Sequence, residues 1–267
     1  PGLKVSQVAA LDTEGVASLA TGTFAALSNA QLIALTTSNV SGVTSAQIAA
    51  LSSGQIAALQ TEDWAQLTSD QLQGISSASV AGISVAQLRA LTTETISRLP
   101  TLQLSQLTSA QIAAWQAAAI AGLTPEQVAV LSSSQVGGLT TAQIGQMGTE
   151  EVAALTTRAL LGLGSGQFAA LTTANVAGLG VDQLAALTST QLGYFESADL
   201  IALSSDQIQA LSTSALAGLT TRQVRSMSGS DLSDFSLGQL GALSSTQIAA
   251  VSTAALADLS SDQIQAI

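Results

Sequence analysis

The chain has 267 residues, a formal charge of −11, and neither cysteine nor histidine. That excludes disulfides and thiolate chemistry, removes the commonest general base and metal ligand, and sets the net charge against nucleic acid and anionic membranes as partners. Only 9% of residues are charged and 3% aromatic, yet 47% are hydrophobic, too apolar for a disordered acidic tail.

Read from the N-terminus, Pro1-Gly2 leads straight into a repeat. Leu3, Leu11, Leu19 and every eighth residue to Ile267 are large and apolar, at 34 sites without an insertion. Taking these as position 1 of an octad, position 6 (Val8, Val16, Phe24 and on to Ile264) is apolar at all 33 of its sites. Position 2 is Ser or Thr in 23 of 33 octads, and position 5 is Gln in 19 of 33. Such self-similarity decides the fold before any local reading. Positions 1 and 6 have opposite parity, so they cannot share a face of a strand. One continuous helix fails too. Eight residues at about 100° each overshoot two turns by roughly 80°, and the apolar stripe would wind around the helix.

The chain must therefore break once per octad, and the octad beginning at Leu123 shows where. In Leu123-Thr-Pro-Glu-Gln-Val-Ala-Val-Leu131, Thr124 is a helix N-cap and Pro125 occupies the first helical position. Glu126 places negative charge at the positive end of the helix dipole. Gln127, three residues after the cap, can reach back to close a capping box. The next two octads repeat the arrangement with Ser132 and Gln135, then Thr140 and Gln143. Leu123, Val128, Leu131, Val136, Leu139 and Ile144 are the matching core positions. Across the chain, 15 of 17 acidic residues fall at positions 2–5, the expected helix starts. Gly42, Gly82, Gly122 and Gly162, at position 8, fit helix exits.

One octad cannot bury enough apolar surface to offset the ordering of its own residues. Neighbours have to stack, and stacked short repeats make a solenoid. Departures from Gln at position 5 recur every fifth octad, at Asn39, Ser79, Ala119 and Ala159. Five octads in two turns would give about 2.5 octads, roughly 20 residues, per turn of such a coil; the alternative is that the five-octad period is only a duplication unit without geometric meaning. The expected fold is thus all-α: an elongated rod of 33 octapeptide repeats, each a very short helix plus a tight turn. Its coil is taken as right-handed, as in most solenoids. Residues 1–267 read as a single continuous array, and the lack of polar capping repeats suggests a fragment of a longer one.

Chemistry is sparse along the chain. Serines lack an activating base. Glu62-Asp63 and Glu150-Glu151 sit at helix starts, where charge is expected. Trp64, Trp115, Phe24 and Phe168 occupy core positions. Gly164-Ser-Gly166 is too short for a phosphate loop and reads as a cap variant. Asp231 and Asp234 match no calcium-loop spacing. Tyr194, at position 8, is the one aromatic off the core register and the candidate for a surface contact; the Arg222/Arg225 pair is the charged exception. No transmembrane span is expected, because Ser, Thr or Gln interrupts nearly every octad. No enzyme activity, cofactor or metal is expected.

The octad seen as Leu-Thr-Ser-Ala-Gln-Ile-Ala-Ala at Leu107 to Ala114 and Leu-Thr-Thr-Ala-Gln-Ile-Gly-Gln at Leu139 to Gln146 resembles the repeat arrays of large bacterial exported surface proteins and adhesins. The Leu-Thr-x-x-Gln core also resembles a motif of periplasmic stress chaperones, which use it sparsely on long helices rather than in contiguous copies. The first resemblance implies a structural or spacer segment, secreted or at the bacterial cell surface. Its partners would be neighbouring repeats of the parent chain and, through the ends, further copies. The alternatives are a solenoid scaffold for a protein or glycan, and a self-assembling fibre module.

Overall fold

A computed structural model of the protein describes residues 2–267. Among them are thirty-two α-helices of four to six residues, one 3-10 helix at Val40–Gly42, and no strand. Every α-helix begins at position 3 of its octad, from Val5–Ala9 to Ser261–Ala266. The preceding residue is extended, as at Thr44 (φ −79°, ψ 156°) and Thr124 (φ −83°, ψ 157°). The helices stop because the N–H at position 1 turns to the carbonyl at position 6, as in Leu51 to Ile48 at 3.1 Å, closing a tight i→i−3 turn. The chain then extends into the next cap.

Position 6 is the innermost. Val8, Val16, Phe24, Leu32, Ile56, Leu72 and Ile96 are fully buried, and position 1 follows at a few per cent exposure over most of the chain. Leu123, Val128, Leu131, Val136, Leu139 and Ile144 are 0–4% exposed. At the C-terminal end Ile264 and Ile267 are 43% and 39% exposed.

Residues 1–146 and 147–267 form two compact units. In the first, Ser45–Ala49 packs against Ser69–Gly74, Ser53–Ala58 against Ser77–Val80, and Ser109–Ala113 against Ser133–Gly137. In the second, Val181–Ala185 packs against Ser205–Ala210, and Ser189–Leu192 against Thr213–Leu216. Within each unit the partner helix lies three octads on. This corrects the expected two and a half octads per turn: the chain returns upon itself after three octads or a little more.

Octads that depart from Gln at position 5 often carry Gly at position 8: Asn39 with Gly42, Ser79 with Gly82, Ala119 with Gly122, Asn175 with Gly178, Ala215 with Gly218. These glycines are not helix exits of the left-handed kind, since no described residue has positive φ. They are places of close approach. A Cβ on Gly82 would overlap the Ser53 carbonyl oxygen, and one on Gly218 would overlap that of Ser189. Gly74 and Gly138, in octads that keep Gln71 and Gln135, come equally close to Ser45 and Ser109, so the close approach belongs to position 8 whatever stands at position 5, and glycine fits it.

Candidate functional site

The recurring polar site is built around position 5. Its glutamine is three residues after the cap, so its own backbone N–H donates to the cap hydroxyl, as Gln127 does to Thr124 Oγ1 at 3.3 Å. Its Oε1 accepts from the cap N–H: Thr124 to Gln127 at 2.9 Å, Ser132 to Gln135 at 2.8 Å, Thr140 to Gln143 at 2.8 Å. That completes the capping box.

The other end of the amide faces away, into the preceding layer. Gln135 Nε2 donates to the carbonyls of Leu104 (2.9 Å) and Leu107 (2.8 Å), and Gln143 Nε2 to those of Ile112 and Trp115, both at 3.0 Å. In the second unit Gln183 reaches Val152 and Leu155, Gln223 reaches Leu192 and Phe195, and Gln247 reaches Leu216 and Leu219. The acceptors lie 31 and 28 residues back, at positions 6 and 1. The position-6 carbonyl already accepts from the position-1 N–H, as Leu104 does from Leu107 at 3.2 Å, whereas the position-1 carbonyl has no backbone donor and depends on the amide. One buried amide thus satisfies the start of its own helix and the end of another.

The octad spacing reveals the Oε1 half of this arrangement and not the Nε2 half. A signal for the second half is nonetheless present. A capping box closes equally well with Glu, which the helix dipole would favour, yet position 5 holds Gln 19 times and Glu once, at Glu151. Of the two, only the amide donates as well as accepts. Where the amide is shorter it reaches one carbonyl, as Asn39 Nδ2 does to Leu11 at 2.9 Å. Where it is missing it can move to position 2, as Gln116 Nε2 does to Arg89 at 2.8 Å beside Ala119.

The remaining candidates fall into place individually. Tyr194 is half-buried, its ring 6.1 Å from Phe168, which stands 5.5 Å from Phe195. Beside this trio is a hollow of about 500 Å³ lined by Phe195, Glu196, Thr220, Arg222 and Gln223. Arg225 is on the same helix as Arg222, Thr221–Ser226. Asp231 is a capping residue that accepts from the Ser228 N–H and hydroxyl, both at 2.7 Å, and Asp234 accepts from the Ser205 hydroxyl at 2.6 Å. Gly164 caps Ser165–Phe168, its N–H donating to Gln167 Oε1 at 2.8 Å. Glu126 is held below the usual carboxylate range by its own backbone N–H and by the Thr124 hydroxyl. Glu94 pairs with Arg98 one turn on. Among the described residues no group of three or more acidic side chains is placed to hold a metal ion. No described helix is long and apolar enough to cross a membrane.

The model of the ALTTAQ repeat family matches residues 24–61, 160–194 and 193–229. These three segments are similar to that repeat, and they share the octad register of the residues around them. No curated protein matches the chain.

Proposed function

We propose that this repeat protein is a structural spacer: a right-handed α-solenoid rod in an exported bacterial surface protein, secreted or held at the cell surface, without catalytic activity. The observation that carries the reading is the glutamine ladder. The same two-ended amide bridge recurs through both units and bonds layer to preceding layer in the same way. Polar chemistry is spent on holding the coil together, and the register runs through 33 octads unbroken. The partners on this reading are neighbouring repeats of the parent chain, with end-to-end contact between copies.

Small-angle scattering tests the rod. At three to three and a half octads per turn, the chain makes roughly nine to eleven turns. Helix axes about 8–10 Å apart then give a length of roughly 70–110 Å. A globule of this size has a radius of gyration of about 18 Å and a diameter of about 47 Å. A maximum dimension of about 50 Å, that of the globule, rules out the rod.

A second reading, a scaffold that binds a protein or glycan, is favoured by one place only. Tyr194, Phe168 and Phe195 lie beside the hollow that carries Glu196 and Arg222, and aromatic rings next to a mixed-charge hollow suit a polar partner with an apolar face.

A further inference from the structure

Asp63 stands at position 5 of its octad, on the helix Thr61–Trp64, where the repeat calls for glutamine. It is 2% exposed, and its Oδ2 has no hydrogen-bond partner. The other aspartates at this position differ. Asp199 accepts from the Glu196 N–H at 2.8 Å and the Thr173 hydroxyl at 3.0 Å, and Asp231 from the Ser228 N–H and hydroxyl. Aspartate has the shape of asparagine, and Asn39 in the equivalent place donates to the carbonyl 28 residues back, Leu11. For Asp63 that carbonyl belongs to Leu35. Its existing donor is Gln60 Nε2, which sits at 2.6 Å from Ile33 but 3.4 Å from Leu35, so Leu35 is poorly served.

We propose that Asp63 is a pH-sensitive latch between two layers of the first unit: protonated, it donates to the Leu35 carbonyl as an amide would, and ionised, it leaves a buried negative charge facing a carbonyl. Among the described residues no cation answers that charge. The preceding layer, residues 29–43, contains no charged side chain. On the following layer, Val85–Arg89 packs against this helix, and its one charged group, Arg89, is solvent-exposed. Glu62 on the same helix and Asp70 on the next, Ser69–Gly74, add only negative charge.

Burial, reinforced by Glu62, raises the Asp63 carboxyl from 3.8 to about 6. The folded chain then holds a proton between about pH 4 and 6 that the unfolded chain has lost. Stability is therefore highest at the acid end of that window and falls as pH rises through it. The full span corresponds to an unfolding constant larger by on the order of 100-fold above pH 6.

The test uses Trp64, the adjacent residue, itself buried. In the full chain carrying Trp115→Phe, Trp64 is the one tryptophan left. Its fluorescence, followed from pH 4.5 to 8, should show a transition centred near 6. That transition should vanish when Asp63→Asn is added, and also with Asp63→Gln, which restores the residue of the repeat and keeps the test open if the asparagine variant folds poorly. Urea midpoints of the wild type should fall between pH 5 and 7.5, while those of Asp63→Gln stay level. A transition centred near 4, none between 5 and 7, or one that survives both substitutions would overturn the proposal.

Discussion

The substitution Gln135→Glu separates the two halves of the bridging side chain. Glutamate keeps an oxygen for the Ser132 N–H, so the capping box stays closed. It loses both donations from Nε2, to Leu104 at 2.9 Å and Leu107 at 2.8 Å. Each hydrogen bond contributes about 0.5–1.5 kcal/mol net; the Leu104 carbonyl keeps the Leu107 N–H at 3.2 Å, while the Leu107 carbonyl, left without a donor, costs about 1–3 kcal/mol. Gln135 is 4% exposed, so water cannot easily replace the lost donors. We expect Gln135→Glu to destabilise the first unit by about 2–4 kcal/mol at pH 7, read from urea melts followed by circular dichroism. The cost should shrink toward pH 4, where the carboxyl takes up a proton and can donate again. A change under about 0.5 kcal/mol at pH 7, the low end for one hydrogen bond, would mean that the inter-layer bonds add little, and the account of position 5 would fail.

Three further outcomes follow from the same geometry. Gly82→Ala should cost more than about 2 kcal/mol, because its methyl meets the Ser53 carbonyl, whereas Gly54→Ala, in a helix with open space around it, should stabilise by about 0.5–1 kcal/mol; similar effects at the two sites would refute the close-approach reading. Leu131→Ala, at 3% exposure, should cost about 2–5 kcal/mol, measured by the same melts, with Ser133→Ala as the near-silent control. Thr124→Ala should cost about 0.5–2 kcal/mol, and Thr141→Ala, one residue past its cap, distinctly less; equal costs would put the caps at the wrong position of the octad.

Much of the local structure was legible in the sequence because its determinants lie within one octad. The hydroxyl of Thr124, the ring of Pro125 and the oxygen of Gln127 act on atoms at most three residues away, so spacing alone reveals them. The return interval was not legible. It is held by a side-chain amide bonding backbone carbonyls, and a carbonyl belongs to every residue and leaves no mark on the sequence. The recurrence of Asn39, Ser79 and Ala119 therefore suggested two and a half octads per turn, whereas the helices pair three octads apart. The glycines carried the missing information in another form. Gly42, Gly82 and Gly122 lack the positive φ of a helix exit, so their small size answers to Thr13, Ser53 and Thr93 in an earlier layer. The hollow beside Tyr194 was legible only in part. Its aromatic stood out of register, but nothing in the spacing placed Glu196 and Arg222 together.

The return interval is the central claim, and a cysteine-free chain allows it to be tested by cross-linking. A Cβ on Gly138 would lie 2.6 Å from Ser109 Cβ, in the earlier layer, and a small shift brings such a pair to the roughly 3.8 Å that a disulfide needs. The double variant Gly138→Cys/Ser109→Cys should close quantitatively under mild oxidation, giving a looped monomer with faster gel mobility and a disulfide-linked peptide in the mass spectrum. The pair Gly138→Cys/Ala118→Cys, two and a half octads apart, should stay reduced under the same conditions. Closure of the Ala118 pair with the Ser109 pair left open would contradict the layered return described here.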